Sequence, residues 1–541
     1  MSRIISKKTK RWSRPADRLK KSERDILGRI EEVVKSSGAS TSFSKEALEE
    51  ARSFGTRVSP TDGKKRLDLR KTSLCTIDGE TAKDFDDAVY AKRIGKNIEI
   101  TVAIADVSHY VKGESYLDRE AFLRGTSIYY PGCCIPMLPE ELSNGLCSLK
   151  PNVARLAIAV SFSVGTRGAI SQVSIKEAII KSKARLTYGQ VDQFFKGHLI
   201  EASFGIKKSL LLMREAANIL RLNRNMRGAI DFDITESLVT LDHNGEPLSI
   251  HPEERLESHR VIEDLMVATN EVVAQFLIKK KAPALFRIHE PPNPEKIEFF
   301  SKVAQSLNAI ESKALMHLTQ NIRPKSVQAI MKLAEKSKYK EVLNTLMLRA
   351  MMQARYSEKN LEHFGLASKA YLHFTSPIRR YADLIVHRQL RMVCFEKNRL
   401  GKIPEHKLKE IANFISEKEV KATDLERKID RLFATTFMSK KIGQIFSGQI
   451  SAVTEFGFFV RIAKHHLEGL VHISAISKNR VNFIPERMCL AVSNEPKRFS
   501  AGDHVLVKLI NVNIDRGFID FILEPEDNAL TARSKKNHRK K

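Results

Sequence analysis

Four aspartates fall within ten residues in the segment Thr76-Ile77-Asp78-Gly79-Glu80-Thr81-Ala82-Lys83-Asp84-Phe85-Asp86-Asp87-Ala88 of a strongly basic chain. Converging carboxylates repel one another unless something neutralises them, and hard oxygen ligands at this density suit Mg²⁺, usually held by carboxylates together with substrate phosphates. Two ions about 4 Å apart would activate a water and stabilise the leaving oxygen of an in-line phosphodiester displacement, with no nucleophilic side chain needed. Three other readings stay open on these residues alone. One is an acidic surface loop. Another is a calcium loop, although the Gly and terminal Glu of an EF-hand are missing. The third is an aspartyl-phosphate phosphatase, which leaves two carboxylates and the basic chain unexplained.

A second constellation is Thr375-Ser376-Pro377-Ile378-Arg379-Arg380-Tyr381-Ala382-Asp383. Its spacing predicts a helix capped by Ser376 with Pro377 at its first position and Arg379 near its start. Arg379, Asp383 and His387 then share one polar stripe at i, i+4 and i+8. An arginine beside a bound phosphate can stabilise developing negative charge; the competing role is a surface salt bridge from Arg379 to Asp383.

The elements that must position these groups are legible in outline. Ser22-Glu23-Arg24-Asp25 resembles a capping box ahead of Ile26, Leu27, Ile30, Val33 and Val34, which recur at helical spacing. This predicts a short helical N-terminal extension over 1–71, with no strand pattern in it. From 72 to 435, strands such as Ile98, Ile100, Val102 and Ile104 alternate with helices such as 257–280, which gives one large mixed α/β (α+β) domain. The 257–280 helix should bury Val261, Leu265, Val272 and Phe276 and present His259, Glu263 and Asn270 as a polar stripe. Past 440 the pattern becomes short strands and turns through Phe456-Gly457-Phe458-Phe459-Val460 and His472, closing near 502–523. Five strands over 440–525 fit an all-β OB-type barrel, followed by a basic tail at 526–541.

Composition narrows the partner. A chain of 541 residues, 42% hydrophobic, can bury a large core and several domains. Its 91 Lys and Arg against 64 Asp and Glu leave a charge of +27, a field that attracts polyanions. An anionic membrane surface is the rival partner, but the basic residues lack the amphipathic, aromatic-flanked arrangement this needs. No stretch approaches the ~18 consecutive apolar residues of a membrane span, and the N-terminus has no secretory apolar core. The six cysteines lack zinc-site spacing and read as reduced thiols, so a cytoplasmic location is expected. Nine Lys/Arg in 1–21 and six in 533–541 read as disordered phosphate-binding arms, through which ribosome or RNA-decay partners could be met. Solubilising tails, or a transit peptide at the N-terminus, are the alternatives.

The segment Thr76–Ala88 resembles the signature of the RNB catalytic domain of the ribonuclease II/ribonuclease R family. Pro131-Gly132, Ile135-Pro136-Met137-Leu138-Pro139, Leu142-Ser143 and Leu146-Cys147-Ser148-Leu149 resemble that family's next block, and His373 to Arg388 its late block. The similarity covers about 40–525, with the C-terminal barrel resembling an S1-type RNA-binding domain. It implies a processive 3′-to-5′ exoribonuclease that releases nucleoside 5′-monophosphates, acts on single-stranded RNA as a monomer, and uses two Mg²⁺ ions for which Mn²⁺ can substitute. By the same resemblance Asp78, Asp84, Asp86 and Asp87 hold the metals. Asp86, Arg379 and Glu426 are implied in catalysis, with Glu426 alternatively on a solvated helix face.

An enzyme that degrades any sequence must hold the backbone and the base faces, since base-edge bonds impose sequence preference. Tyr129, Tyr188 and Phe232 match family positions that contact the 3′-terminal nucleotides, Tyr129 and Phe232 as brackets of the base stack; core packing is the ordinary alternative for an aromatic residue. Glu263 is a candidate ribose contact, since a carboxylate can accept a 2′-hydroxyl, or else an internal structural acceptor. Phe456, Phe459 and His472 are the barrel's RNA-facing residues, unless Phe459 is core. Family members usually carry two cold-shock barrels before the catalytic domain, whereas about 70 residues precede Cys75. A non-catalytic RNA-binding protein that keeps the fold is the alternative function.

Overall fold

The structure is a computed structural model that describes residues 26–232, 237–395 and 403–525. The expected capping box at Ser22–Asp25 and both basic tails lie outside these residues. Ile98, Ile100, Val102 and Ile104 belong to a strand in which Thr101, Ala103 and Ala105 are buried as well, since helices and neighbouring segments cover both faces of the sheet. The strands are β1 (Leu67–Leu69), β2 (Cys75–Asp78), β3 (Asp87–Ile94), β4 (Asn97–Ala105), β5 (Ile128–Tyr130), β6 (Cys133–Ile135), β7 (Ala154–Val164), β8 (Ile170–Lys181) and β9 (Ala184–Thr187). Seven of them form one sheet in the order β1-β8-β7-β4-β3-β2-β9, and β5–β6 is a separate hairpin. The sheet is antiparallel except at its outer pairs, β1–β8 and β2–β9.

Two features of this layer depart from the sequence expectation. β1 lies inside the segment expected to be helical and strand-free, although the helices Ile26–Ser36 and Lys45–Ser53 do form there. Three residues carry too little alternation to register as a strand; pairing with Ala178–Ile180 of β8 makes them one. The helix Glu257–Lys279 buries Val261, Leu265 and Val272 as its spacing predicts, with Phe276 partly covered. Its expected polar stripe does not stay outside. Asn270 is buried, donating to the Tyr371 hydroxyl and accepting the Phe374 N–H, both at 3.0 Å.

The C-terminal barrel closes with five strands, Ile445–Thr454, Gly457–Ile462, Leu467–His472, His504–Asn513 and Phe518–Leu523. A three-stranded sheet at 481–500, not read from the sequence, is inserted before the fourth. The barrel is not a bead on a string. Phe458, Val460, Val507 and Phe521 share one continuous apolar core with Ile297, Phe300, Val303, Leu343 and Met347 of the helices between 294 and 350. A third core joins Ile26, Ile30 and Val34 to Leu425, Ile429 and Phe433 of the long helix Glu405–Ser439 and to Ile128 and Ile135 of the β5–β6 hairpin.

Candidate active site

Asp78 ends β2 and Asp87 begins β3, so the acidic segment is the connection between two neighbouring strands. Alternation in that connection turns Phe85 into the core, 7% exposed, while Asp84 and Asp86 flank it. The loop is clamped from outside. Ser148 Oγ accepts the Phe85 N–H (3.0 Å) and donates to the Lys83 carbonyl (2.7 Å), and Leu149 N–H bonds the Phe85 carbonyl (2.9 Å). Arg185, on β9, donates to the carbonyls of Gly79 (2.8 Å) and Glu80 (2.5 Å). The block around 142–149 thus serves the acidic loop by holding its backbone.

The segment Ser376–Arg380 comes to this loop as a turn. The expected helix start at Pro377 is incorrect: the helix runs Tyr381–Cys394 with Arg380 at its N-cap. Arg379 therefore lies before the helix and shares no stripe with Asp383 and His387, both fully buried. The Arg379–Asp383 salt bridge is absent too, because Asp383 pairs with Arg380 (2.7 and 2.8 Å). Freed from that pairing, Arg379 places its Nε 3.8 Å from Asp86 Oδ2. Ile378 gives its backbone N–H to Asp86 Oδ1 at 2.9 Å.

Of the candidate substrate residues, Tyr129 and Tyr188 lie beside the carboxylates. The Tyr129 hydroxyl donates to Asp84 Oδ2 (2.6 Å), and its backbone N–H is taken by Glu426 Oε1 (2.8 Å). Glu426, which the resemblance implies in catalysis, is thus bonded to the backbone of Tyr129, expected to bracket the base stack. Tyr188 opens the helix after β9 beside Asp78, whose β-partner is Thr187, and its ring lies 4.1 Å from that of His259. Glu263 is paired with Arg255 (2.5 Å), which also binds Asp231 (2.8 Å), next to Phe232. Phe232 itself is half-buried against the second core. Far along the chain, Phe456 is 46% exposed and meets Phe459 edge-on at 6.1 Å. Phe459 shares the outer face with His472, since Gly457 pairs with His472 and Phe459 with Leu470, while Phe458 fills the core.

Crowding and burial leave the carboxylates short of counter-charge. Burial raises Asp86 well above the usual carboxylate range, against the pull of Arg379 and the Ile378 N–H. Burial and the charge of Asp78 lift Asp87 to about 7, and burial raises Asp78 against the Gly79 N–H. Asp87 Oδ2 is sealed from solvent with no hydrogen-bond partner. Groups so placed fit a cation, which would restore the ionised forms and satisfy that oxygen. Among the described residues no three Asp, Glu, His or Cys side chains converge as a ready-made metal cage. Mg²⁺ commonly takes only one or two carboxylates plus water and substrate phosphate, so the fit is to an ion shared with a phosphate.

A mixed sheet with an acidic β2–β3 connection facing an arginine turn, joined to a five-stranded barrel, defines a class. The chain belongs to the RNB domain family, whose model matches residues 66–396, and an S1 RNA binding domain model matches 439–523. Among its relatives, ribonuclease R 1 of Lactococcus lactis is 37% identical over 518 residues, covering 94% of this chain and 63% of that protein. Ribonuclease R of Escherichia coli K12 is 37% identical over 496 residues, covering 87% and 59%. The chain thus spans less than two thirds of the length of either. Mycoplasma genitalium RNase R, solved in complex with ribose methylated single-stranded RNA, superposes with a TM-score of 0.86 at 30% identity, covering 93% of this chain and 78% of that one.

Proposed function

We propose that this chain is a processive 3′-to-5′ exoribonuclease that hydrolyses single-stranded RNA to nucleoside 5′-monophosphates with divalent metal ions, Mg²⁺ in the first place and Mn²⁺ as a substitute. The carrying observation is the β2–β3 connection, which carries all four aspartates and sets Asp86 opposite Arg379, with Asp87 Oδ2 buried and left without a hydrogen-bond partner. Asp78, Asp84, Asp86 and Asp87 are the residues that would hold the ions. When bound, the ions supply an activated water and neutralise the leaving oxygen. Arg379 is 42% exposed along its side chain, enough to reach a phosphate while staying beside Asp86, and is assigned to the charge that develops on it.

RNA is held by stacking in this reading. Tyr129 and Phe232 bracket the terminal bases, Tyr188 fixes the last nucleotide, and Glu263 accepts a ribose hydroxyl once Arg255 shares it. Phe456, Phe459 and His472 take the strand on the barrel's outer face. We assign 72–435 to catalysis and 440–525 to RNA binding. The N-terminal extension, together with the basic tail at 526–541, adds phosphate contacts and a means of meeting ribosomal or decay partners. A monomer in the cytoplasm completes the proposal; no helix among the described residues is long and apolar enough to cross a membrane.

The alternative is a protein that binds RNA without cutting it. Incubating 5′-end-labelled RNA with and without Mg²⁺ separates the two. Progressive shortening to very short labelled products only with metal is expected; binding without shortening would overturn the nuclease.

A further inference from the structure

Asp383 is fully buried and belongs to no substrate position discussed above. Its two oxygens receive three hydrogen bonds. Arg380 grips both through Nε (2.8 Å) and Nη2 (2.7 Å), and the backbone N–H of Ser376 bonds Oδ1 at 2.8 Å. The three bonds tie the two ends of the Ser376–Arg380 turn to one carboxylate. Between those ends lie the Ile378 N–H directed at Asp86 and the side chain of Arg379, which is steadied by Ser376 Oγ at 3.1 Å. On the far side, the Arg379 carbonyl is held by Ser127 N–H (2.9 Å) and Thr126 Oγ1 (3.1 Å). Arg380 has a side chain 17% exposed and fixes the turn as a planar two-pronged donor, which lysine cannot reproduce.

We propose that Asp383 and Arg380 are the positioning pair of the active site. Their buried ion pair holds the Ser376–Arg380 turn in the shape that delivers the Ile378 N–H to Asp86 and turns the Arg379 guanidinium towards the same carboxylate. The pair touches no substrate and acts through Arg379 and Asp86. It rests on the proposed roles of those two residues, so its test separates them.

The experiment is a double-mutant cycle on the full chain, measuring kcat, KM and RNA affinity with Mg²⁺ present. Asp383→Asn keeps an oxygen for the Ser376 N–H but loses the charge that orders Arg380. A misplacement of about 1 Å costs on the order of 100-fold in rate, so kcat should fall about that much while KM and RNA affinity change less than about threefold. In an Arg379→Ala background the same substitution should cost roughly tenfold or less, because residues acting as one unit are non-additive. An equal loss in both backgrounds would overturn the proposal and make the pair merely structural. Should Asp383→Asn lower the unfolding temperature enough to obscure kinetics, Arg380→Lys, which keeps the charge, carries the same cycle and the same two outcomes. Arg379→Ala cleaving at the wild-type rate would instead remove the role of Arg379.

Discussion

At the scale of single residues, two substitutions separate chemistry from placement. Asp86 takes a backbone N–H and faces Arg379 while burial works against its charge. Asp86→Asn keeps its size and an acceptor but removes a carboxylate from the proposed cation site. RNA cleavage should fall by at least about 10³-fold, while RNA affinity changes less than about threefold because the basic charge of the chain and the residues assigned to stacking persist. Single-turnover cleavage beside filter binding checks both; cleavage at the wild-type rate would refute the metal assignment. Glu426 bonds the Tyr129 N–H through one oxygen, an interaction that does not require a charge. Glu426→Gln keeps that acceptor, whereas Glu426→Ala removes it and should alter the length of the final RNA fragment more than Glu426→Gln does, because it frees the backbone of the residue assigned to the base stack. Equal, large losses from both variants would point to a charge-dependent role.

At the scale of elements, shared cores and buried imidazoles set stability. Phe458 is 0% exposed, within the core that barrel and helices 294–350 have in common. Phe458→Ala should cost about 3–5 kcal/mol. By hydrogen exchange, the Gly457–Ile462 strand and the Pro294–Ser306 helix should lose protection together; early opening of the barrel alone would show that the common core does not couple them. His363 is pushed down to about 3 by burial, then by His289 and Arg287, and its ring stands against His289 and Tyr371. Its folded-state value lies below the roughly 6.5 of an unfolded histidine, so between those values the unfolded chain binds more protons. This contribution is present above about pH 6.5 and is lost as pH falls towards 3, by at most about 1.4 kcal/mol per pH unit. His363→Gln should flatten the decline of the thermal midpoint between pH 7 and 5; an unchanged slope would rule the imidazole out.

For the whole molecule, continuity between barrel and catalytic layer changes which experiments are informative. Deleting 440–541 removes part of a common core as well as the proposed RNA surface, so weakened binding after it would not locate the RNA. Substrate entry is a cleaner probe. Stacking in a duplex is worth about 1.4 kcal/mol per base-pair step, so opening must be coupled to a grip on the emerging strand, which the proposal assigns to Tyr129 and Phe232 inside and to the barrel's outer face. Unstructured RNA should be degraded to very short products, a duplex with a 3′ overhang should be entered, and a blunt duplex of the same sequence should resist. A gel time course giving equal loss of blunt and overhang substrates would dismiss single-strand threading.

Local order carries through the sequence wherever a residue's neighbours in space are its neighbours in the chain. The cluster of four aspartates, the alternation of Ile98 to Ile104, the helix at 257–279 and the five barrel strands depend on spacing, periodicity and short turns, and all were legible, whereas the place of the cluster between two paired strands was not. So was the family, because the Asp78–Asp87 spacing and the Pro131–Leu149 block are short-range. What only the tertiary structure decided are the partnerships of buried polar groups and of apolar faces, some within a few residues and some across hundreds. A helix start was expected at Pro377 because Ser-Pro is a good cap, but Asp383 captures Ser376 and Arg380 and winds the segment into a turn. Spacing offered Asp383 to Arg379, whereas burial awarded it to Arg380, whose paired donors can satisfy a sealed carboxylate. Glu426 meets the Tyr129 backbone across 297 residues, and the barrel shares its core with helices more than a hundred residues away. No sequence period encodes such contacts; they exist because a buried polar group must find a partner and an apolar face must be covered wherever the chain brings one.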